Sequence, residues 1–437
     1  MTTRAGRAIL LLGVLVFLGW AVLGAGQPAR AGSYSFRWAP GLAGYGGYLA
    51  EAADLDGDGH AELVVQAVAG EAEGQEPPPP RITAVYACAA PAEACRELGR
   101  SRNVGPLAAV ADLDGDGRTE LVARDESGQG LTAWRWAVER GELVPEPADV
   151  LDAYRQRGGL LPGDLPGEVE GWPRDLDGDG LLDGIALVEG ETGAELVLRT
   201  ATAERRLPLA GHPEEAGVPR GHEPAASRPG SADAETSGPP DLGDVQVEAW
   251  LPASTPGWPV VVVGWQRAGS RTVELSASRP DGDRYQPVWQ DAVAGGAGPY
   301  ALSPAWALLD LTGDGTPELV RGRGGVVEVL AWDGRGFQVV ARTPENGGLG
   351  WAGFHAADLN GNGVPELVAR HVSPNLYTHH LKVYELRGGR LVGLADLRDI
   401  GWWAAPRALT WRAGSTEVLL LPRASDLARP EALAFDP

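Results

Sequence analysis

Lysine is almost missing from this chain: Lys382 stands alone among 37 basic residues. That bias towards arginine points to a GC-rich source and carries little about function. Basic charge as a whole is scarce, with 59 Asp and Glu giving a formal net charge of −22. So acidic a chain excludes nucleic acid and an anionic membrane surface as partners. Cysteine is limited to Cys88 and Cys95. The pair fits an oxidising compartment and is placed to close a small hairpin loop, with free buried thiols as the alternative. Nothing resembles a nucleophile elbow, a phosphate loop or a zinc signature. Helical periodicity is hard to find after the first 25 residues. What remains is 62 Gly, 35 Pro and 15 Trp, a composition of short strands and turns.

The N-terminus reads as an export signal over residues 1–31. Arg4 and Arg7 give a positive start, Ala8 to Leu23 is apolar, and Ala29-Arg30-Ala31 offers a small-x-small cleavage site. An uncleaved anchor is the alternative, since the run is nearly long enough to span a bilayer. Only in that case is the membrane a partner. No Cys lies near the site, which excludes a lipoprotein anchor. Either way residues 32–437 are expected outside the cytoplasm, secreted or at the cell surface.

One nine-residue phrase occurs five times in that remainder. It begins at Asp54 (DLDGDGHAE), Asp112 (DLDGDGRTE), Asp175 (DLDGDGLLD), Asp310 (DLTGDGTPE) and Asp358 (DLNGNGVPE). Positions 1, 3, 5 and 9 carry oxygen-bearing side chains. In the first three loops these are Asp54, Asp56, Asp58 and Glu62; Asp112, Asp114, Asp116 and Glu120; and Asp175, Asp177, Asp179 and Asp183. The fourth has Asp310, Thr312, Asp314 and Glu318, and the fifth Asp358, Asn360, Asn362 and Glu366. The backbone carbonyl at position 7 (His60, Arg118, Leu181, Thr316, Val364) is a further candidate ligand. Calcium takes about six to eight oxygens at about 2.3–2.6 Å, and Gly at position 6 allows the sharp turn. Up to five Ca²⁺ ions are expected. Fewer charges predict weaker binding in the fourth loop and weakest in the fifth.

An EF-hand opens with the same spacing but needs a bidentate Glu at position 12 and flanking helices. Position 12 here is Val65, Ala123, Ala186, Arg321 and Ala369. None can bind calcium, and the branched apolar residues after each loop read as strands. The EF-hand is rejected.

Loop starts are separated by 58, 63, 135 and 48 residues, so the long gap has room for one unit without a loop. After each loop and its strand comes a hairpin, the first being Ile82–Tyr86 with Glu97-Leu98. The unit in the gap has strands at Val245–Trp250, Val260–Trp265, Thr272–Ser276 and Tyr285–Trp289. Its connector at 251–258 lacks carboxylates. A four-stranded unit repeated at this length is the mark of a β-propeller blade. Residues 211–240 and the shorter 71–80, both Pro-rich and poor in branched apolar residues, are expected to be disordered loops. Ala408–Trp411, Thr416–Leu421 and Glu431–Phe435 leave a last unit one strand short. Ser35–Trp38 would supply the missing strand and close the ring. The expectation is an all-β chain: a single β-propeller domain of seven four-stranded blades, ring closed by the N- and C-terminal strands.

Five such loops, four of them followed by Leu-Val and the third by Gly184-Ile185, resemble the FG-GAP/VCBS repeats of the integrin α-chain β-propeller and its bacterial relatives. The resemblance covers Gly46 to Leu394. It implies that each loop joins the first two strands of a blade and holds Ca²⁺ on the residues named above. The Phe-Gly and Gly-Ala-Pro signatures of integrins are absent.

Most Trp residues (Trp134, Trp136, Trp250, Trp265, Trp306, Trp332) fall in or beside predicted strands and read as packing between blades. Trp172, Trp258, Trp402 and Trp403 read as loop residues able to line a surface site. His355, His371, His379 and His380 share one unit without a spacing that fixes metal geometry, and read as structural. The functional expectation is a monomeric binding module for a protein or glycan, not an enzyme. The alternative is a polysaccharide hydrolase or lyase with its acid and base in a central channel.

Overall fold

A computed structural model describes residues 33–38, 45–69, 81–89, 94–125, 127–165, 175, 177, 179–190, 193–209, 242–250, 259–267, 272–282, 284–294, 305–345, 350–372, 379–397, 409–413, 416–421 and 431–436. The expected leader, the insertions at 71–80 and 211–240, and the connector at 251–258 lie outside the described residues. So do Trp172, Trp258, Trp402 and Trp403. Among the described residues strands dominate and helix is limited to one eight-residue element, so the framework is all β. No helix among the described residues is long and apolar enough to cross a membrane.

Strand β1 (Ser33–Trp38) pairs with no strand near it in sequence, and is placed below. The first sheet is β2 (Tyr45–Ala53), β3 (Glu62–Ala69), β4 (Arg81–Ala89) and β5 (Ala94–Ser101), in sequence order and antiparallel. Cys88 and Cys95 face each other in its β4–β5 register. The second is β6 (Leu107–Ala111), β7 (Glu120–Arg124), β8 (Leu131–Ala137) and β9 (Glu142–Pro145).

Helix α1 (Asp149–Gln156) follows, an element that sequence periodicity did not reveal. It is only eight residues long, too short for a 3.6-residue period to stand out. Asp149 and Asp152 in its first turn and Arg155 in its last complement the helix dipole, while Leu151 and Tyr154 are buried.

A seven-stranded sheet corrects the expectation of separate four-stranded units. It contains β10 (Gly184–Gly190), β11 (Gly193–Arg199), β12 (Glu204–Pro208), β13 (Leu242–Trp250), β14 (Val260–Arg267), β15 (Thr272–Asp281) and β16 (Arg284–Ala294). Strands β10–β12 and β13–β16 are each antiparallel sets, joined edge to edge by one parallel pair, Arg206 opposite Arg284. Exposed outer edges offer unpaired backbone groups, and here two of them meet. The third unit shows three strands, its expected first strand falling outside the described residues.

The next two sheets again have four strands. One is β17 (Trp306–Leu309), β18 (Glu318–Arg323), β19 (Val326–Trp332) and β20 (Phe337–Arg342). The other is β21 (Gly350–Ala357), β22 (Glu366–Val372), β23 (His379–Arg387) and β24 (Arg390–Leu397). The last combines β25 (Leu409–Ala413), β26 (Thr416–Leu421) and β27 (Glu431–Asp436) with β1, whose Ser33 lies opposite Asp436 and Trp38 opposite Glu431. Strand β2 of the first sheet runs beside β25 of the last.

The core lies between consecutive sheets, and the period of two in a strand explains how. In β14, Val261 and Val263 pack with Ile185, Leu196 and Leu198 of the preceding strands. Their neighbours Val260 and Val262 point the other way, to Trp306 and Leu319 of the following sheet. In β18 Leu319 joins that same cluster, while Val320 packs with Trp351 and Leu367 beyond. Second strands are therefore apolar on both faces, which is why Leu-Val follows the loops without alternation. Each such side chain contributes about 1.5–3 kcal/mol on burial. Outer strands are wetter: β20 buries only Phe337 and Ala341.

Of the tryptophans expected to pack, Trp136 and Trp306 are buried, Trp134, Trp265 and Trp332 are partly buried against the core, and the side chain of Trp250 lies outside the described residues; Trp289 and Trp351 are buried as well. Gly264 is needed where Trp306 crosses β14, because a Cβ there would sit 2.4 Å from its indole nitrogen.

Candidate metal centre

Each acidic loop connects the first strand of a unit to the second: β2–β3, β6–β7, β17–β18 and β21–β22, with the third loop leading into β10. Four of the loops thus sit at equivalent places in their sheets, and the third precedes a strand as they do. Glycines at both positions 4 and 6 have positive φ, from +69° to +90° at Gly57, Gly59, Gly115, Gly117, Gly313, Gly315, Gly361 and Gly363. A side chain at either position would be strained. Sequence reasoning named position 6 and missed position 4.

The position 1 aspartate organises the turn. In the second loop Asp112 accepts hydrogen bonds from Gly115 N (2.7 Å, Oδ1) and Gly117 N (3.0 Å, Oδ2). Asp54 does the same for Gly57 (2.8 Å) and Gly59 (2.9 Å), and Asp310 for Gly313 (2.7 Å) and Gly315 (2.8 Å). Asp358 Oδ2 accepts from Gly363 N at 2.9 Å, and Asp175 Oδ2 from Gly180 N at 2.8 Å. Position 5 accepts from the N–H of position 7, as Asp58 does from His60 (2.8 Å) and Asp116 from Arg118 (2.8 Å). The backbones of Leu181, Thr316 and Val364 are held in the same way.

Position 9 lies beneath the loop and is buried: Glu62, Glu120, Asp183, Glu318 and Glu366. Oε2 of each glutamate accepts from the N–H of position 2, at 2.9 Å from Leu55 and 2.8 Å from Leu113, Leu311 and Leu359. Those four leucines are fully buried and pin the loop to the core. Burial pushes Glu62, Glu120 and Glu318 from 4.5 up to about 7, the backbone N–H opposes that, and the neighbouring aspartates add to it.

The loops then divide. Carboxylate oxygens of Asp54, Asp56 and Asp58 lie within 4.8 Å of one another, as do those of Asp112, Asp114 and Glu120, and of Asp175, Asp177 and Asp183. Glu120, 1% exposed, has its second oxygen Oε1 buried without a hydrogen-bond partner. A buried, unpartnered carboxyl oxygen beside two further carboxylates fits a hard cation. In the fourth loop Thr312 Oγ1 instead lies 3.4 Å from Glu318 Oε1. In the fifth, the buried Asn360 donates its amide to Glu366 Oε1, and Asn362 Nδ2 lies 3.4 Å from Glu385. A hydroxyl and an amide thus stand at the position 9 oxygen that in the second loop has no partner.

The histidines assemble differently. His371 is buried, with its ring edge-on to Trp351 (4.9 Å between centroids) and to His380 (6.0 Å). Burial holds it down at about 4, so it stays neutral. His380 Nδ1 lies 3.2 Å from Asp396. His355 is likewise pulled to about 4 by burial, with Arg370 adding to the effect. The candidate cation groups among the described residues contain no histidine. The side chain of His379 lies outside the described residues.

Residues 310–369, which span the fourth and fifth loops, match the model of the FG-GAP-like repeat. No curated protein matches the sequence. Among solved structures, BBS1N in complex with ARL6DN is similar over 92% of this chain and 96% of its own, at 11% identity and a TM-score of 0.41. A rhamnogalacturonan lyase of Bacillus licheniformis is similar over 92% of this chain and 75% of its own, at 13% identity and a TM-score of 0.26. Fold and loops together define the class: an all-β chain of small, mostly antiparallel sheets that carries an FG-GAP-like repeat.

Proposed function

We propose that this chain is an exported β-propeller of seven blades that binds Ca²⁺ in its acidic loops and serves as a binding module for a protein or glycan. The observation that carries the metal reading is Glu120 Oε1, buried without a partner against Asp112 and Asp114. An oxygen-only donor set favours calcium over softer metals. Calcium would occupy the three carboxylate-rich loops first, then the fourth, and the fifth last. It would neutralise clustered carboxylates and tie the first two strands of a blade together.

Seven blades follow when the seven-stranded sheet is read as two blades bridged at Arg206 and Arg284. The chain of sheet contacts, with β2 beside β25 and β1 completing the last sheet, supports a closed ring. A ring held at its loops by metal leaves blade faces and inter-loop surfaces for recognition. Export would place the chain where calcium is abundant.

The test is paired melting of the full chain in calcium and in EDTA, with metal removal verified. A clear rise in Tm with calcium is expected, and coincident melts would refute the metal reading. A glycan array run with and without EDTA then distinguishes a glycan from a protein ligand.

A further inference from the structure

Two of the loops are joined to each other. The backbone N–H of Thr119, position 8 of the second loop, donates to the carbonyl of Asp54, position 1 of the first, at 2.8 Å. The peptide that provides this N–H also carries the carbonyl of Arg118, the position 7 oxygen expected to face an ion. The accepting peptide, Asp54–Leu55, has its own N–H directed 2.9 Å to Glu62 Oε2, a carboxylate of the first loop. Two peptide units therefore run head to tail from the carbonyl of Arg118 to Glu62. The side chain of Arg118 also lies over the first loop: a Cβ at Gly57 would be 3.1 Å from its Cγ.

The remaining loops show that this link is particular to the pair. Position 8 is Thr119 in the second loop but Pro317 in the fourth and Pro365 in the fifth, and proline has no N–H. The fifth loop still approaches the fourth, with Gly363 O 3.3 Å from where a Cβ on Gly313 would sit, yet it cannot donate. In the third loop the position 8 N–H, that of Leu182, is taken by the hydroxyl of Tyr154 on α1 at 2.6 Å. In the second loop the carbonyl of Asp112 accepts a long bond from Arg157 (3.4 Å), whose guanidinium mainly serves Leu113 O at 2.5 Å.

We infer that the loops beginning at Asp54 and Asp112 bind calcium as a positively coupled pair, through the peptide chain from Arg118–Thr119 to Asp54–Leu55 and Glu62. This rests on the metal reading above. The carbonyl of Arg118 would be one of the groups holding the ion, and its peptide, polarised by that contact, would make Thr119 N–H a stronger donor to Asp54 O. The Asp54–Leu55 peptide is polarised in turn, and Leu55 N–H then holds the Glu62 carboxylate more firmly in its ligand position. Coupling between two sites is reciprocal, so calcium in the first loop must favour the second equally. Thr119 is a positioning residue whose backbone alone matters. The fourth and fifth loops, with proline at that place, bind independently of each other by this route.

The test is a calcium titration of the EDTA-stripped full chain followed by hydrogen exchange, which gives each loop its own midpoint. Asp112→Ala is expected to move the midpoint of the 54–62 peptide to calcium concentrations about two- to tenfold higher, the range of one net hydrogen bond. Asp54→Ala should do the same to the 112–120 peptide. Thr119→Pro, which copies the backbone of the fourth and fifth loops, should abolish the mutual shift, while Thr119→Ala, with its N–H intact, should retain it. Unchanged midpoints in both aspartate variants would overturn the coupling while leaving calcium binding in place, even if Thr119→Pro failed to fold. If calcium protected neither loop in the unmutated chain, the metal reading would fail, and the coupling with it.

Discussion

The loops at Asp112 and Asp358 share one backbone and differ in how they treat the same buried glutamate. Both have two glycines with positive φ, a position 1 aspartate holding the turn, and a leucine locked in the core. At Glu120 one oxygen is left buried beside two aspartates. At Glu366 the equivalent oxygen receives the amide of Asn360. The first arrangement leaves a buried oxygen without a partner, whereas the second supplies that partner from within the protein. A loop fold therefore does not by itself specify a metal. The position 3 side chain decides whether the space is left for a charge or closed by a donor.

Removing the position 1 aspartate from each loop tests that contrast most strongly. Asp112→Ala should abolish that site's share of calcium stabilisation, about 2.7 kcal/mol at calcium 100 times above Kd. Asp358→Ala should leave the calcium increment nearly intact, although it loses loop hydrogen bonds. Denaturant unfolding with calcium and with EDTA measures both. A larger loss of the calcium increment in Asp358→Ala would reverse the ranking.

Converting one loop towards the other gives a smaller effect. Asn360→Asp takes away the donor to Glu366 and sets two carboxylates against each other. In EDTA it should destabilise by about 1–3 kcal/mol, the cost of a buried acceptor left without its partner. Added calcium should recover much of that loss, a larger response than the parent fifth loop gives. A variant as stable as the parent in EDTA would show that the amide does not hold the loop together.

The gentlest test is pH. Burial raises Glu62, Glu120 and Glu318 from 4.5 to about 7 in the folded chain. A carboxyl raised on folding contributes stability that is fully present below pH 4.5 and disappears as pH rises through 7. In EDTA, stability should therefore fall between about pH 5 and 8. Calcium, which needs the deprotonated carboxylates, should oppose that fall. Glu120→Gln should flatten the EDTA profile, and an unchanged slope would locate the titration elsewhere.

Much of this architecture is legible in the sequence because it repeats. Strand positions follow from apolar runs such as Val260–Val263, and the loops from the spacing of their aspartates. The pairing of β1 with the C-terminal strand follows from one unit being a strand short. What escaped depends on neighbours distant in sequence. Helix α1 is a short amphipathic helix in the stretch between β9 and β10. The bridge from Arg206 to Arg284 joins residues far apart in the chain and leaves no periodic trace. The contrast at Glu120 and Glu366 was visible only as a count of charges. That Asn360 would donate to Glu366, rather than simply lower the loop's charge, required the direction of one amide. Position 8, where Thr119 differs from Pro317 and Pro365, was in plain view, but its N–H has meaning only once Asp54 is known to lie opposite.

The antiparallel pairing of Ser33–Trp38 with Glu431–Asp436 also sets an order in time. A ribosome releases β1 at the start and β27 only after nearly four hundred further residues. Until then β1 has no partner and the last sheet does not exist, while each intervening hairpin can form as soon as it emerges. Contacts of such separation are slow to find, because a long loop must close before they form. The final sheet is therefore expected to be the last step of folding, and the two ends of the chain stay exposed to capture by other chains until it is complete.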